Sequence, residues 1–340
     1  MLRLKELGEY GLISYLCRRL TKKIGRGIAP EVSIIGDDAF ITRLSPERYL
    51  VAATDSLVED VHFRRKWINF SQLGWKALAV TLSDFAAMGA ITPRYLLLNL
   101  GLPLDLPFKA VKELYQGIEK LSQRWRIVLA GGNTVRTEKI ILTVFLIGET
   151  TKNNFISRSG ARIGDLIFST GPLGEAAAGL FLLKKGYRAD NPRYKKLIRK
   201  HLLPQPRLEE GKTLARKKLA TSLVDCSDGL EKSVKLLIEK NGLGAEIYLE
   251  NLPLTPGLES CIKTISGFRQ SPLEAFWKLA IYGGEDYELI FTAQEKNYQK
   301  IVKFIPQAFF LGKIRKKKGI DFLYQSKPKY LQGKSYDAFI

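Results

Sequence analysis

Histidine is almost missing from this chain: His62 and His201 are the only two among 340 residues, beside three cysteines and two methionines. Cys17, Cys226 and Cys261 lie far apart with no C-x-x-C spacing, which argues against a thiolate zinc site and against a disulfide framework. Neither histidine stands beside a Gly-x-Ser-x-Gly turn or a catalytic-cysteine signature, so a nucleophilic triad has no support either. Long apolar runs are lacking too. The longest stretch free of Asp, Glu, Lys and Arg is the ten residues 95–104, against the roughly 18 that a membrane span needs. The first twenty residues carry Glu6, Glu9, Arg18 and Arg19 in an amphipathic pattern, not a basic start followed by an apolar core. The chain therefore reads as cytoplasmic, with no membrane partner.

Acids are the scarcer charge: 34 Asp and Glu against 54 Lys and Arg leave a net charge of +20. Half of that excess sits in residues 184–218, and a second basic cluster occupies 313–318. Nucleic acid is the first partner such a charge suggests. Yet neither segment has interleaved aromatics, a helix-turn-helix signature or an RNP-type motif. A solvated helical face is the better reading, and a nucleic-acid-binding protein remains only as the rival to an enzyme.

What is present is ordinary globular material, 45% hydrophobic and 26% charged, in a chain long enough for two domains. Periodicity predicts an opening helix over residues 4–20 closed by the Gly25-x-Gly27 loop, a strand at 49–54, helices at 73–88 and 109–125, and strands at 127–130 and 140–148. The turn-rich run 157–165 separates this from a second block, so the boundary is placed near residue 150, giving domains 1–150 and 151–340. The second block predicts strands at 166–170, 223–226, 245–249, 287–292 and 309–314 among helices at 175–184, 194–202, 208–219, 229–240, 273–282 and 295–304. Both blocks read as α+β, and the order of elements shows no βαβ dinucleotide fold.

The few acids sit in unusual company. Asp37-Asp38 follows Ile-Ile-Gly, Asp55 follows Val-Ala-Ala-Thr54, Asp84 lies in Val-Thr-Leu-Ser-Asp-Phe-Ala-Ala-Met, Asp225 and Asp228 flank Cys-Ser227, and Glu285, Asp286 and Glu288 follow Gly283-Gly284. A half-buried carboxylate needs a cation, a cluster of N–H groups or a proton. With so little histidine and no lysine evidently paired to them, oxygen ligands of Mg²⁺ and phosphoryl transfer are the leading chemistry. Taken singly, Asp37, Asp84, Asp225 and Asp228 are equally plausible as helix caps. Gly131-Gly132-Asn133-Thr134 and Gly171-Pro-Leu-Gly174 offer Cβ-free backbone for phosphates, and no Walker motif is present.

Ile35-Gly-Asp-Asp-Ala39, Thr54-Asp-Ser-Leu-Val58 with His62-Phe63, and the run Ala77 to Ala90 come first in an ordered set of motifs. Gly131-Gly-Asn-Thr134, Arg158-Ser-Gly-Ala161, Asp225-Cys-Ser-Asp-Gly-Leu230, Gly283-Gly-Glu-Asp-Tyr-Glu288 and Tyr336-Asp-Ala-Phe339 complete it. Together they resemble the thiamine-monophosphate kinase family, in the superfamily of aminoimidazole ribonucleotide synthetase and selenophosphate synthetase. The resemblance implies a two-domain α+β fold. Its N-terminal ATP- and metal-binding domain would dimerise through its strands into a β-barrel, and a C-terminal α+β domain would follow. It implies ATP as co-substrate, several Mg²⁺ ions, thiamine phosphate as acceptor, and a homodimer. By motif, Asp38, Thr54, Asp55, Asp84, Asn133, Asp225 and Asp228 would serve the metals, and Gly132, Asn133, Arg158 and Ser227 the ATP. His62, Glu285 and Tyr336 would line the thiamine phosphate pocket. No residue is assigned as general base, since an attacking phosphate oxygen is already largely ionised near neutral pH. Asn133 replaces the Asp that many relatives carry, and Ser335 and Ala338 replace Gly and His. Another enzyme of the superfamily acting on a different small phosphorylated substrate is the nearer alternative; selenophosphate synthetase would need a mobile reactive Cys that Cys17, in a helical pattern, does not offer.

Overall fold

The computed structural model describes residues 37–264 and 271–336, with residues 3–6, 8, 11–13 and 15 ahead of them. Residues 4–6, 8, 11–13 and 15 of the expected opening helix are helical. The rest of it, the Gly25-x-Gly27 loop and Cys17 lie outside the described residues.

The first block consists of β1 (Phe40–Arg43), β2 (Arg48–Val58), α1 (Phe70–Ala87), β3 (Thr92–Leu102), α2 (Phe108–Trp125), β4 (Val128–Arg136) and β5 (Ile141–Thr151). The strands form one sheet in the order β1-β2-β5-β3-β4, antiparallel except for the β3–β4 pair, which α2 connects. The sheet is open, with β1 and β4 as its edges. Alternation along the central strands buries Val51, Ala53, Leu57, Leu96, Leu98, Leu100, Leu142, Val144 and Leu146 on one face. α1 lies against β2 and β5, and α2 packs along α1. A Cβ on Gly74 would stand 2.0 Å from Leu114 O and one on Gly117 would stand 1.9 Å from Ser71 O, so the two helices can approach this closely only through that glycine pair.

β3 and most of β4 depart from the sequence reading. Residues 92–102 carry a leucine-rich run without alternation and a proline, which does not read as a strand. The structure accommodates Pro93 with a register shift between Pro93 and Tyr95. β4 continues through Gly131–Thr134, past the strand expected at 127–130.

The second block contains β6 (Leu166–Ser169), α3 (Glu175–Lys184), α4 (Lys195–Leu202), α5 (Leu208–Arg216), β7 (Ser222–Asp225), α6 (Leu230–Glu239), β8 (Gly244–Tyr248), α7 (Pro256–Thr264) and α8 (Pro272–Tyr282). β9 (Leu289–Ala293), α9 (Tyr298–Phe304), β10 (Phe309–Arg315), β11 (Gly319–Tyr324) and β12 (Lys327–Pro328) complete it. Its sheet runs β12-β11-β8-β10-β6-β9-β7. β6, β7 and β9 are buried along their whole length, as strands covered on both faces are. α7, β11 and β12 are further elements that the periodicity did not reveal. Among the described residues no helix is long and apolar enough to cross a membrane.

Candidate active site

α1 connects the two blocks. Asn69 starts it with a reciprocal capping pair to Gln72, and it is apolar almost all round because it is covered on all sides. β2, β5 and α2 lie on it from the first block, α5 and β7 from the second. Four polar groups are carried into this interior: Lys76, Thr81, Ser83 and Asp84. Ser83 Oγ donates to Asp225 Oδ2 at 2.7 Å, which joins α1 to the end of β7.

Around that bond the sequence-predicted acids converge. Asp55 comes from β2, Asp84 from α1, Asp225 from β7, Asp38 from the segment before β1 and Asp228 from the turn before α6. Burial pushes the Asp38 carboxyl well above the usual range; Asp225 and Asp37 add to this and Arg158 opposes it. Asp84 is raised by burial and then by Asp55, Asp225 and Asp38. Asp55 is raised by burial, with Asp84 and Thr81 hydrogen bonds working the other way. Asp225 is pushed up to about 7 by burial, against the Ser83 hydroxyl that donates to it. A set of desolvated like charges takes up either protons or cations. All the donors are oxygen, and Asp38 Oδ2 is a buried atom without a partner among the described residues, which fits a hard divalent ion. Among the described residues no three acidic, His or Cys side chains stand ready to enclose one ion. None of these acids caps a helix: Asp84 lies inside α1, Asp225 ends a strand, and α6 begins at Gly229 with no side-chain cap.

Asp37 has a separate task. Its carboxylate accepts from Ser157 Oγ at 2.6 Å and from the Arg158 N–H at 3.1 Å, tying the start of the first sheet to the loop that carries Arg158. Asn241 Nδ2 holds the same loop by donating to Ser159 O at 2.6 Å.

The segment 283–288 delivers three carboxylates to three places. Glu285 and Tyr287 have left-handed backbone, φ 64° and 51°, so successive side chains swing apart. Glu285 is held by Lys76 Nζ, 2.9 Å from Oε1 and 3.1 Å from Oε2, while His201 Nδ1 stands 2.7 Å from Oε2. Burial alone would raise its carboxyl, but Lys76 and His201 overcome that and hold it well below the usual range. Asp286 accepts from the Gly174 N–H at 2.6 Å and the Ala176 N–H at 2.9 Å. The N-terminus of α3, expected from Gly171–Gly174 to be open to a phosphate, is therefore occupied by the protein's own anion. Glu288, fully buried, is gripped by Arg207 through Nε at 2.7 Å and Nη2 at 2.6 Å, and by Lys200 at 2.5 Å.

The remaining sequence-predicted residues are more dispersed. His62 receives the Val58 N–H on Nδ1 at 3.0 Å, leaving its proton on Nε2, and burial pushes the imidazole below its ordinary value. The Ser227 carbonyl accepts the Glu285 N–H at 2.6 Å. The Tyr336 carbonyl accepts from Lys232 Nζ, which also pairs with Asp228 at 2.6 Å. The Thr54 hydroxyl donates to Val144 O. Gly132 and Asn133 stand on the exposed strand β4, where Asn133 Oδ1 accepts from the Thr134 N–H. Among the described residues no hydrogen bond or ion pair links Asn133 to the acids. Lys76, Lys200, His201 and Arg207 escaped the sequence reading. The one available signal was a lysine alone within the apolar run of α1.

Comparison with known proteins follows the same division. Residues 36–150 match the N-terminal domain of AIR synthase related proteins, and residues 162–323 match the C-terminal domain. Thiamine-monophosphate kinase from Aquifex aeolicus is 35% identical over 320 residues, 94% of this chain and 95% of that one. The enzyme of the same name from Escherichia coli K12 is 33% identical over 342 residues, 98% of each. A solved structure, AaThiL complexed with AMPPCP and TMP, superposes with a TM-score of 0.84 at 33% identity over 99% of both chains. The hydrogenase maturation protein HypE in complex with ATP, at 15% identity and a TM-score of 0.68, shares the fold alone.

Proposed function

This chain belongs to the thiamine-monophosphate kinase family, and from that premise we propose that it transfers the γ-phosphoryl group of ATP to thiamine phosphate, giving thiamine diphosphate and ADP. The observation that carries the reading is the meeting of five acids from both blocks around the Ser83–Asp225 bond. The new P–O bond forms from an oxygen of thiamine phosphate, whose second pKa is near 6, while the β–γ bridging bond breaks in line and ADP leaves. The attacking oxygen has no proton to give up, so positioning and charge neutralisation are the whole task.

Asp38, Asp55, Asp84, Asp225 and Asp228 would hold Mg²⁺ ions, which supply the positive charge that the phosphates need. Thr54 and Asn133 join that set in our reading. Arg158 reaches the Asp38 side of the cluster on a loop fixed by Asp37, and with Ser227, Gly132 and Asn133 it would contact ATP. His62, Glu285 and Tyr336 would line the thiamine phosphate pocket. The electrostatic proximity of Glu285 to His62 supports the first two, and the Lys232 bridge from Asp228 supports the third.

A domain boundary near residue 150 is supported by one sheet built within residues 40–151 and another within 166–328. Closure of two N-terminal sheets into a dimeric barrel is supported by β4, an edge strand exposed along its whole length with Val128, Leu129 and Val135 in the open. Purified protein with Mg²⁺-ATP and thiamine phosphate should yield thiamine diphosphate, and unphosphorylated thiamine should not react. Folded protein that forms no thiamine diphosphate at saturating substrates would falsify the assignment.

A further inference from the structure

Lys76 is among the largest fully buried side chains of the protein, and lysine is almost never found so placed unless paired. Its partner comes from the other block: Nζ touches both oxygens of Glu285. His201, only 3% exposed, closes on Oε2 from α4. The backbone is pinned as well, since the Glu285 N–H donates to Ser227 O. The Glu285 side chain nevertheless keeps 23% of its surface open. A carboxylate offers about four lone-pair directions, of which the short contacts to Lys76 and His201 occupy at most three.

We propose that Lys76 and His201 are positioning residues that fix the Glu285 carboxylate in one orientation, so that its open lone pair accepts an N–H from the substrate. The inference rests on the reading of Glu285 as part of the thiamine phosphate pocket and deepens it. One ammonium, one carboxylate and a neutral imidazole carry no net charge together. Recognition at Glu285 is therefore acceptance of a hydrogen bond, from an amino group such as the one on the substrate's pyrimidine, and not attraction of a cation.

Glu285→Gln, Lys76→Met, the double variant, and His201→Gln separate the possibilities by their Michaelis constants for the two substrates. Glu285→Gln and Lys76→Met should each raise KM for thiamine phosphate about 10-fold or more, while KM for ATP stays within about two-fold, a split that a merely structural role would not produce. In the double variant the rise should be no larger than in either single one, because Lys76 acts through Glu285. An unchanged KM for thiamine phosphate in Glu285→Gln removes the pocket reading itself. A rise in Glu285→Gln without one in Lys76→Met, effects that multiply in the double variant, or equal rises for both substrates overturn the positioning role alone. Should Lys76→Met fail to fold, Lys76→Arg must bind thiamine phosphate more nearly like the wild type than His201→Gln does, and His201→Gln must show the same split; a normal KM in His201→Gln sinks the proposal.

Discussion

Ser83 and Asp225 are hydrogen-bonded at 2.7 Å although 142 residues separate them, and this one bond links the main helix of the first block to a strand end of the second. Asp84, the next residue on that helix, is thereby placed among acids from both blocks. The site exists only where the blocks meet.

Asp84→Asn should lower kcat by about 100-fold or more, since one anionic group is lost where charge develops on the phosphoryl. Without Mg²⁺ its thermal midpoint should equal or exceed that of the wild type, because the substitution relieves repulsion from Asp55, Asp225 and Asp38. The rise in midpoint on adding Mg²⁺ should shrink. Near-normal turnover at limiting Mg²⁺, or a lower midpoint without the metal, would contradict the assignment.

Burial pushes His201 below its ordinary value of about 6.5, with Lys76 adding to the effect. Below that pH the unfolded chain takes up a proton that the folded chain refuses, so stability is lost as the pH falls. The raised acids of the site act in the opposite sense without metal, so the comparison is wild type against His201→Gln in saturating Mg²⁺. From pH 6.5 to 5 the wild type should lose stability relative to the variant by up to about 1.4 kcal/mol per pH unit. Urea midpoints at several pH values test this, and parallel curves would refute it.

Glu288 is held below the usual carboxyl range because Lys200 and Arg207 outweigh its burial. Its stabilising contribution is complete above pH about 4.5 and is lost as the pH falls through its lower folded value. Glu288→Gln should cost about 2–3 kcal/mol at neutral pH, because it leaves two half-buried cations without their buried carboxylate, with a smaller cost in strong acid. Denaturant unfolding at pH 7 and pH 3 gives both numbers, and an equal cost at the two would be the contrary result.

Val135→Asp on the edge strand β4 should convert a sedimenting dimer into a monomer while leaving the core intact, because Val135 is 50% exposed. A wild type that sediments as a monomer at tens of micromolar would dismiss the barrel.

Asn133→Asp should lower the Mg²⁺ concentration needed for half-maximal rate and change the maximal rate much less, as an added anion strengthens a cation site. Identical Mg²⁺ curves would remove Asn133 from the metal set.

Much of this was legible in the sequence because it rests on local pattern. The helix over Phe70–Ala87 follows from its apolar run, and acids in apolar settings marked the residues that gather beside Asp225. Lys76 was not legible, because its meaning depends on Glu285, 209 residues away, and a lone lysine in a helix reads as a solvent-facing one. The N-terminus of α3 misled for the same reason: its anion, Asp286, comes from 112 residues downstream. β3 was hidden by leucines, which favour no strand, and by Pro93, which only a register shift can fit.

The segment 283–288 turns from one handedness to the other and back within a few residues, sending Glu285 to α1 and α4, Asp286 to α3 and Glu288 to Arg207. Its length is therefore a stricter requirement than its composition. A substitution disturbs one destination, whereas inserting or deleting a single residue between Gly284 and Glu288 would misdirect the carboxylates beyond it together. Each exchange in the segment thus carries the cost of one destination, whereas a change of count adds several of those costs together.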